Sequence, residues 1–197
     1  MRAVIVGSGP SAAGFEPPAG VTVIAVNGAI QWLSRVDHWF TLDPSPANYD
    51  RMSNPRPGVQ YWAAVPKGTA LPSHVMPFER VSVAWPPDLE PDLGTPEWWL
   101  WRWGCKLGLA LDINKIHTGN SAYGALGLAY HLDAEKVALV GIDATDQPRI
   151  EGGRPNNLSH LPLLFKSALD QIDVVSCGHM AGIPQMSIEE GMKWLTS

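Results

Sequence analysis

Two cysteines, Cys105 and Cys177, are all that the 197 residues contain. That is too few for a disulfide framework, and the pair lacks metal-ligand spacing, so a reducing interior is the expectation. Positive charge is also scarce. Fourteen Lys and Arg against 19 Asp and Glu leave a net charge of −5, which excludes a broad basic footprint for nucleic acid; any anion binding must be local. No apolar run approaches the roughly 20 residues of a membrane span. The first residues form a strand-like run with one Arg, too short and wrongly flanked for a signal peptide. The chain therefore reads as soluble and cytoplasmic, with neither membrane nor nucleic acid among its partners. Its length suits one well-buried domain, 1–197, and is short for two.

Proline and tryptophan are abundant instead, at 18 and 9 residues. Eleven of the prolines fall between Pro44 and Pro96, and six of the tryptophans between Trp62 and Trp103. On either side of that stretch the pattern is regular. "AVIVG", "VTVIAVN" and "DHWFTLD" read as strands, with a helix over "GAIQWLSRV" between the second and third. Their continuous apolar runs indicate strands covered on both faces. In the last half, "INKIHT", the small-residue helix "GNSAYGALGLAYHL" and "KVALVGID" form a compact βαβ unit, so parallel strands with a right-handed crossover are expected. "LPLLFKSALDQI", "DVVSC" and "SIEEGMKWL" follow as helix, strand and helix, with Ser187 and Glu190 as a capping box. The middle segment, about 44–104, is expected as an insertion, because its prolines disfavour long helices and central strands. Within it "VQYWAAV" and "VSVAW" are candidate strands, and Thr95-Pro96-Glu97 opens a helix. The fold class is α/β: a doubly wound, mainly parallel, Rossmann-like sheet with a Pro/Trp-rich insertion.

Function is sought first in the strand-to-helix turns, where open α/β sheets bind ligands. Gly7-Ser8-Gly9-Pro10-Ser11-Ala12 satisfies G-x-G-x-x-A, a loop in which glycine admits a phosphate and a helix start presents free N–H groups. A dinucleotide reader also needs an acid about 20 residues on, at the end of the second strand. Asn27 stands there, which argues against an NAD(P)- or flavin-dependent oxidoreductase and suits a phosphate or sugar. A second turn, Thr118-Gly119-Asn120-Ser121, repeats the logic, although a hydroxyl residue at a helix start is ordinarily an N-cap. Asp43 and Asp143 close strands and could bind ribose or a metal; Asp146 reads as a surface turn. "QPRIEGGRPNNLSH" has the composition of a mobile lid. Its Arg149 and Arg154 are candidate phosphate ligands, and His160, just before a helix, is either a polar cap or a general base.

By order and spacing, "VIVGSGPS", "VIAVNGA", "WFTLD" and "HTGNSAYGALGLAYHLDAEKVALVGID", with a His before the next helix, resemble one superfamily. It joins the bacterial CMP-sialic-acid-dependent sialyltransferases to the 6-hydroxymethylpterin diphosphokinase (MptE-like) proteins. The likeness covers 2–43 and 113 to about 195. It implies a nucleotide-donor site in which Gly7, Gly9, Ser11 and Asn27 meet phosphates and ribose, Thr118, Gly119 and Asn120 meet ribose and base, and His160 is the base. Among the diphosphokinase relatives a magnesium ion bridges phosphates, with Asp43 and Asp143 the candidate ligands here. The sialyltransferases follow "GID" with an aromatic and a Tyr; Ala144 and Thr145 stand in this chain, which argues against sialic acid itself.

Together these readings point to a transferase using a nucleotide or nucleotide-sugar donor, moving a glycosyl or pyrophosphoryl group to a hydroxyl of a small molecule or glycan. Gly7, Ser8, Gly9, Pro10, Ser11, Asn27, Asp43 and Thr118 to Ser121 would hold the donor, Arg149 and Arg154 the phosphate, and His160 and Asp143 would act in catalysis. The alternative is a non-catalytic nucleotide-binding or assembly protein. In "PEWWLWRWG", at helical spacing, Trp98, Trp101 and either Leu100 or Trp99 cannot all face one core. They are read as core packing, as a homo-oligomer interface, or as a wall for the acceptor.

Overall fold

The computed structural model describes all 197 residues. Strands β1 (Arg2–Val6), β2 (Thr22–Val26), β3 (His38–Thr41), β4 (Gln60–Val65), β5 (Val75–Val81), β6 (Lys115–His117), β7 (Lys136–Val140) and β8 (Asp173–Ser176) form one sheet. Their order is β6-β5-β4-β3-β2-β1-β7-β8, and every pairing is parallel. Five α-helices accompany them: α1 (Pro46–Ser53), α2 (Pro96–Arg102), α3 (Ser121–His131), α4 (Leu161–Lys166) and α5 (Ile188–Thr196). This is the α/β, doubly wound class expected from the apolar runs. No helix is long and apolar enough to cross a membrane.

Alternate residues of each strand enter two separate cores. Ile5, Ile24, Phe40 and Leu139 pack beneath α3 and α4. Val4, Val23, Trp39 and Val140 pack on the other face, with Met52 of α1 and Leu195 of α5. Burial on both faces is why these strands are apolar without alternation. The outer edge of β8 is covered as well: Ser176 N–H donates to Pro184 O (2.8 Å), and Met186 N–H to Ser176 O (2.9 Å).

The segment 44–104, expected as an insertion, lies within the sheet: the candidate strand "VQYWAAV" supplies β4, and β5 pairs with it. Pro77 is accommodated in β5 by its register. Glu79, two residues on and oriented the same way, sends its N–H to Asn114 O just before β6 (2.9 Å), so the N–H that Pro77 lacks would face the β6 side before that strand begins. The strand is VMPFERV, and of "VSVAW" only Val81 belongs to it. The helix expected over "GAIQWLSRV" is a single 3-10 turn, Asn27–Gln31, and the residues after the glycine loop form another, Pro10–Ala12.

"INKIHT" and "KVALVGID" supply β6 and β7, parallel as expected, but five strands lie between them. Helix α3, 11 residues and so about 16 Å long, carries the chain back across β3, β2 and β1. The β1–β2, β2–β3 and β3–β4 connections return over the α1/α5 face, where Phe15, Leu33 and Met52 pack. The β5–β6 connection instead lies on the α3/α4 face, through Cys105 and Leu109. Progress in one direction over the opposite face reverses the hand of that crossover. It is held there by side chains near α4: Gly108 N–H donates to Ser167 Oγ (2.8 Å) and Leu109 N–H to Gln171 Oε1 (2.6 Å).

The tryptophan segment is not core. Thr95 Oγ1 caps α2 by accepting from Trp98 N–H (3.2 Å), yet no residue of α2 is buried. Trp85, Leu89, Leu93, Trp103, Leu107, Leu111 and Ile113 are all exposed apolar side chains.

Close approach of α3 to the sheet depends on glycine. A Cβ at Gly124 would lie 2.6 Å from Phe40 Cε1. Gly124→Ala gains roughly 1 kcal/mol of helix propensity, whereas overpacking costs about 1–3 kcal/mol. Net destabilisation is expected, read as a lower urea midpoint at unchanged m-value. An equal or higher midpoint would show that α3 can shift off the sheet.

Candidate functional site

The direction of strand order reverses between β1 and β7, and the crevice at such a point is where open α/β sheets take ligands. A cleft opens there. Its floor is the β1 turn (Gly7, Ser8, Gly9, Pro10) and the β7 turn (Gly141, Ile142, Asp143). Asn27 joins from the end of β2, and Asn120 and Ala122 from the start of α3. The segment after β7 contributes Thr145, Gln147, Arg149, Glu151, Pro155, Leu158 and Leu161.

The two floor turns are packed backbone against backbone. A Cβ on Gly7 would lie 2.5 Å from Gly141 O, and one on Gly9 2.8 Å from the same atom. Gly7 N–H donates to Val140 O (2.9 Å) and Gly9 N–H to Gly141 O (2.8 Å). The glycines of the fingerprint are thus required by the β1–β7 contact itself. Asp143 completes the junction. Its Oδ2 accepts from Ser11 N–H (3.0 Å), and its Oδ1 accepts from Ser11 Oγ–H (2.8 Å) and His179 N–H (2.8 Å). Ser11 Oγ in turn accepts from Gly141 N–H (3.1 Å). Asp143 is only 5% exposed, so its charge is stabilised by these donors rather than by water. The phosphate site expected at Gly7, Gly9 and Ser11 is filled by the protein's own carboxylate. Of the loop's polar groups, the Ser8 hydroxyl is left over: Ser8 Oγ is buried without a partner.

Asn27 adopts the left-handed conformation (φ 49°), which Asn tolerates better than most residues. Its Oδ1 accepts from Thr41 Oγ1–H (2.7 Å) and Asn48 Nδ2–H (3.2 Å), and its carbonyl accepts from Trp39 Nε1–H (2.8 Å). Only the side-chain N–H₂ remains for a ligand. Asn120 is the N-cap of α3, accepting from Ala122 N–H (2.8 Å), and its N–H₂ is likewise free. Thr118, Gly119 and Ser121 do not line the cleft. Thr118 N–H is spent on Val81 O (2.8 Å), and Ser121 Oγ accepts from Leu42 N–H (3.1 Å), tying α3 to the end of β3.

Asp43 and Arg154 are exposed and outside the cleft, whereas Arg149 lines it. Asp43 and Asp143 end strands three positions apart, about 14 Å at ordinary strand spacing. Nor does any group of three or more His, Cys, Asp and Glu converge as metal ligands. The carboxylates therefore do not fit a shared magnesium ion.

His160 stands at the N-cap position of α4 but makes no capping bond. It is 2% exposed. Its Nε2 is 3.5 Å from Gly119 O, and its Nδ1 is buried without a partner. Burial lowers its pKa, partly opposed by Gly119 O, so the ring is neutral near pH 7. In this arrangement it neither caps the helix nor reaches the cleft surface as a base. Thr145 Oγ1 is a further buried, unpartnered atom. Buried polar atoms ordinarily have partners. Those of Ser8 and Thr145, on two sides of one cleft, mark it as a place for a polar ligand. Sequence reasoning missed Ser8's distinct role, Thr145, Gln147 and Glu151; for Glu151, its place inside the glycine-rich lid was the available signal.

No family model, curated protein or solved structure matches the chain. The superfamily resemblance therefore rests on the quoted residues.

Two outcomes are expected. Asp143→Asn removes the charge that three donors face and places an N–H₂ among them. Hydrogen bonds to charged groups contribute about 1.5–3 kcal/mol each, so a loss of about 2 kcal/mol or more is expected in urea unfolding; an unchanged midpoint would contradict the clamp. Burial, the leading cause, also lowers the pKa of His38 and His117. Below the unfolded value of about 6.5, the folded state then binds fewer protons than the unfolded one. Stability should be complete above that pH and fall as pH drops toward the lowered folded values. His160→Gln should flatten the slope measured between pH 7.5 and 5.

Proposed function

We propose that the switch-point cleft binds a nucleotide, and that the protein is a transferase using a nucleotide-activated donor to glycosylate or pyrophosphorylate a hydroxyl acceptor. The observation that carries the binding reading is the convergence of the β1, β2, α3 and post-β7 turns on one cleft with the unpartnered hydroxyls of Ser8 and Thr145. The cleft offers neutral hydrogen-bonding groups for sugar and base, and one cation, Arg149, for phosphate. Transfer itself is supported by the superfamily resemblance. Its chemistry would come from positioning the donor and stabilising the leaving phosphate.

The second reading, nucleotide binding without transfer, is favoured by a specific observation. Asp143 is committed to the clamp and His160 is buried, which leaves Glu151 as the unengaged carboxylate of the cleft. An assembly role through the part-buried tryptophan segment, of which Trp103 is exposed, belongs to this reading, and that segment does not line the cleft.

Calorimetry with CMP, UDP, GDP, ADP and ATP tests the binding. At least one should bind below millimolar, and Arg149→Ala should weaken it about tenfold while leaving affinity for the bare nucleoside unchanged. Failure of all five removes the basis of the proposal. Donor turnover by the binding-competent protein, measured by release of nucleotide, then separates transfer from binding alone.

A further inference from the structure

The carboxyl end of β2 is where a nucleotide-binding sheet ordinarily places the acid that holds ribose hydroxyls. Asn27 occupies that position, and its Oδ1 is already committed to Thr41 and Asn48. An acid nevertheless reaches this place from another part of the chain. Glu151 lines the cleft, and a Cβ on the adjoining Gly28 would collide with its Oε1. Gly28 is open because the Glu151 carboxylate rests there.

The lid backbone is fixed on both sides of Glu151. Ile150 N–H donates to Ser8 O (2.9 Å), and Arg149 closes the turn by donating its N–H to Gly153 O (3.0 Å) and accepting from Gly152 N–H (2.9 Å). Gly152 and Gly153 make that turn at φ 90° and 77°. The carboxylate itself takes part in no ion pair, and Arg149 is not its partner. Two unengaged acceptor oxygens thus sit at the β2 terminus beside Asn27, whose remaining side-chain group is a donor. A vicinal diol completes this arrangement: its two O–H groups donate to the carboxylate, and one oxygen accepts from Asn27 Nδ2–H.

Resting on the nucleotide reading above, we infer that Glu151 is a ribose-binding residue that accepts the 2′- and 3′-hydroxyls of the ligand. The lid supplies the sugar-reading acid that β2 lacks, and the site selects ribonucleotides over deoxyribonucleotides.

Calorimetry with CMP, UMP, AMP and GMP, each beside its 2′-deoxy counterpart, tests this. The wild-type protein should prefer the ribose form of its best ligand by about tenfold, the size expected for a hydrogen bond to a charged acceptor. In Glu151→Gln that preference should fall to within about twofold, with the deoxy affinity little changed. Equal ribose and deoxyribose affinity in the wild type overturns the assignment while leaving nucleotide binding intact. So does a preference that survives in Glu151→Gln, or tighter binding of both sugars by Glu151→Ala, which would make the carboxylate a plug. Absence of binding by either series overturns the nucleotide reading and this assignment together.

Discussion

The carboxylate of Asp143 sits inside the first glycine turn and draws three donors onto itself, two from Ser11 and one from His179. By doing so it joins the carboxyl ends of β1, β7 and β8, which meet on either side of the point where strand order reverses. A buried charge without such donors would be prohibitively costly; with them it holds three loops in one geometry. The short contacts of Gly7 and Gly9 with Gly141 belong to the same junction. A side chain at either glycine would force the β1 and β7 turns apart and break the clamp.

That internal anion decides what remains for a ligand. The backbone N–H groups of Gly7, Gly9 and Ser11 are spent within the protein, and polar side chains stand around the rim. Most of these are neutral: Ser8, Asn27, Asn120, Thr145 and Gln147, with Arg149 and Glu151 brought in by the lid. Both charged rim groups come from the segment after β7.

Much of the fold could be read directly. Apolar runs located β1, β2, β3 and β7; the small-residue stretch located α3; and Ser187 with Glu190 marked α5, where both halves of the capping box form. The prolines of 44–104 misled, because proline opposes a strand only where its missing N–H has a partner to lose, and Pro77 lies where β5 has not yet met β6. Strand adjacency was illegible for a related reason. A strand–helix–strand pattern does not say how far the helix travels, and α3 crosses most of the sheet before the chain enters β7.

The amino-acid sequence by itself determined the parallel α/β class, the location of the strand-end turns that line the cleft, and the residue types that gather there. These follow from local periodicity and from backbone preferences that act within a few residues. Only the tertiary structure decided which groups are free. Asp143 and Ser11 lie 132 residues apart, as does many a pair that never meets, and whether a carboxylate greets a ligand or its own chain depends on which turns the sheet brings together. The same is true of His160, whose burial follows from where α4 packs, and of Glu151, which reaches the β2 terminus because the lid folds back over Ser8.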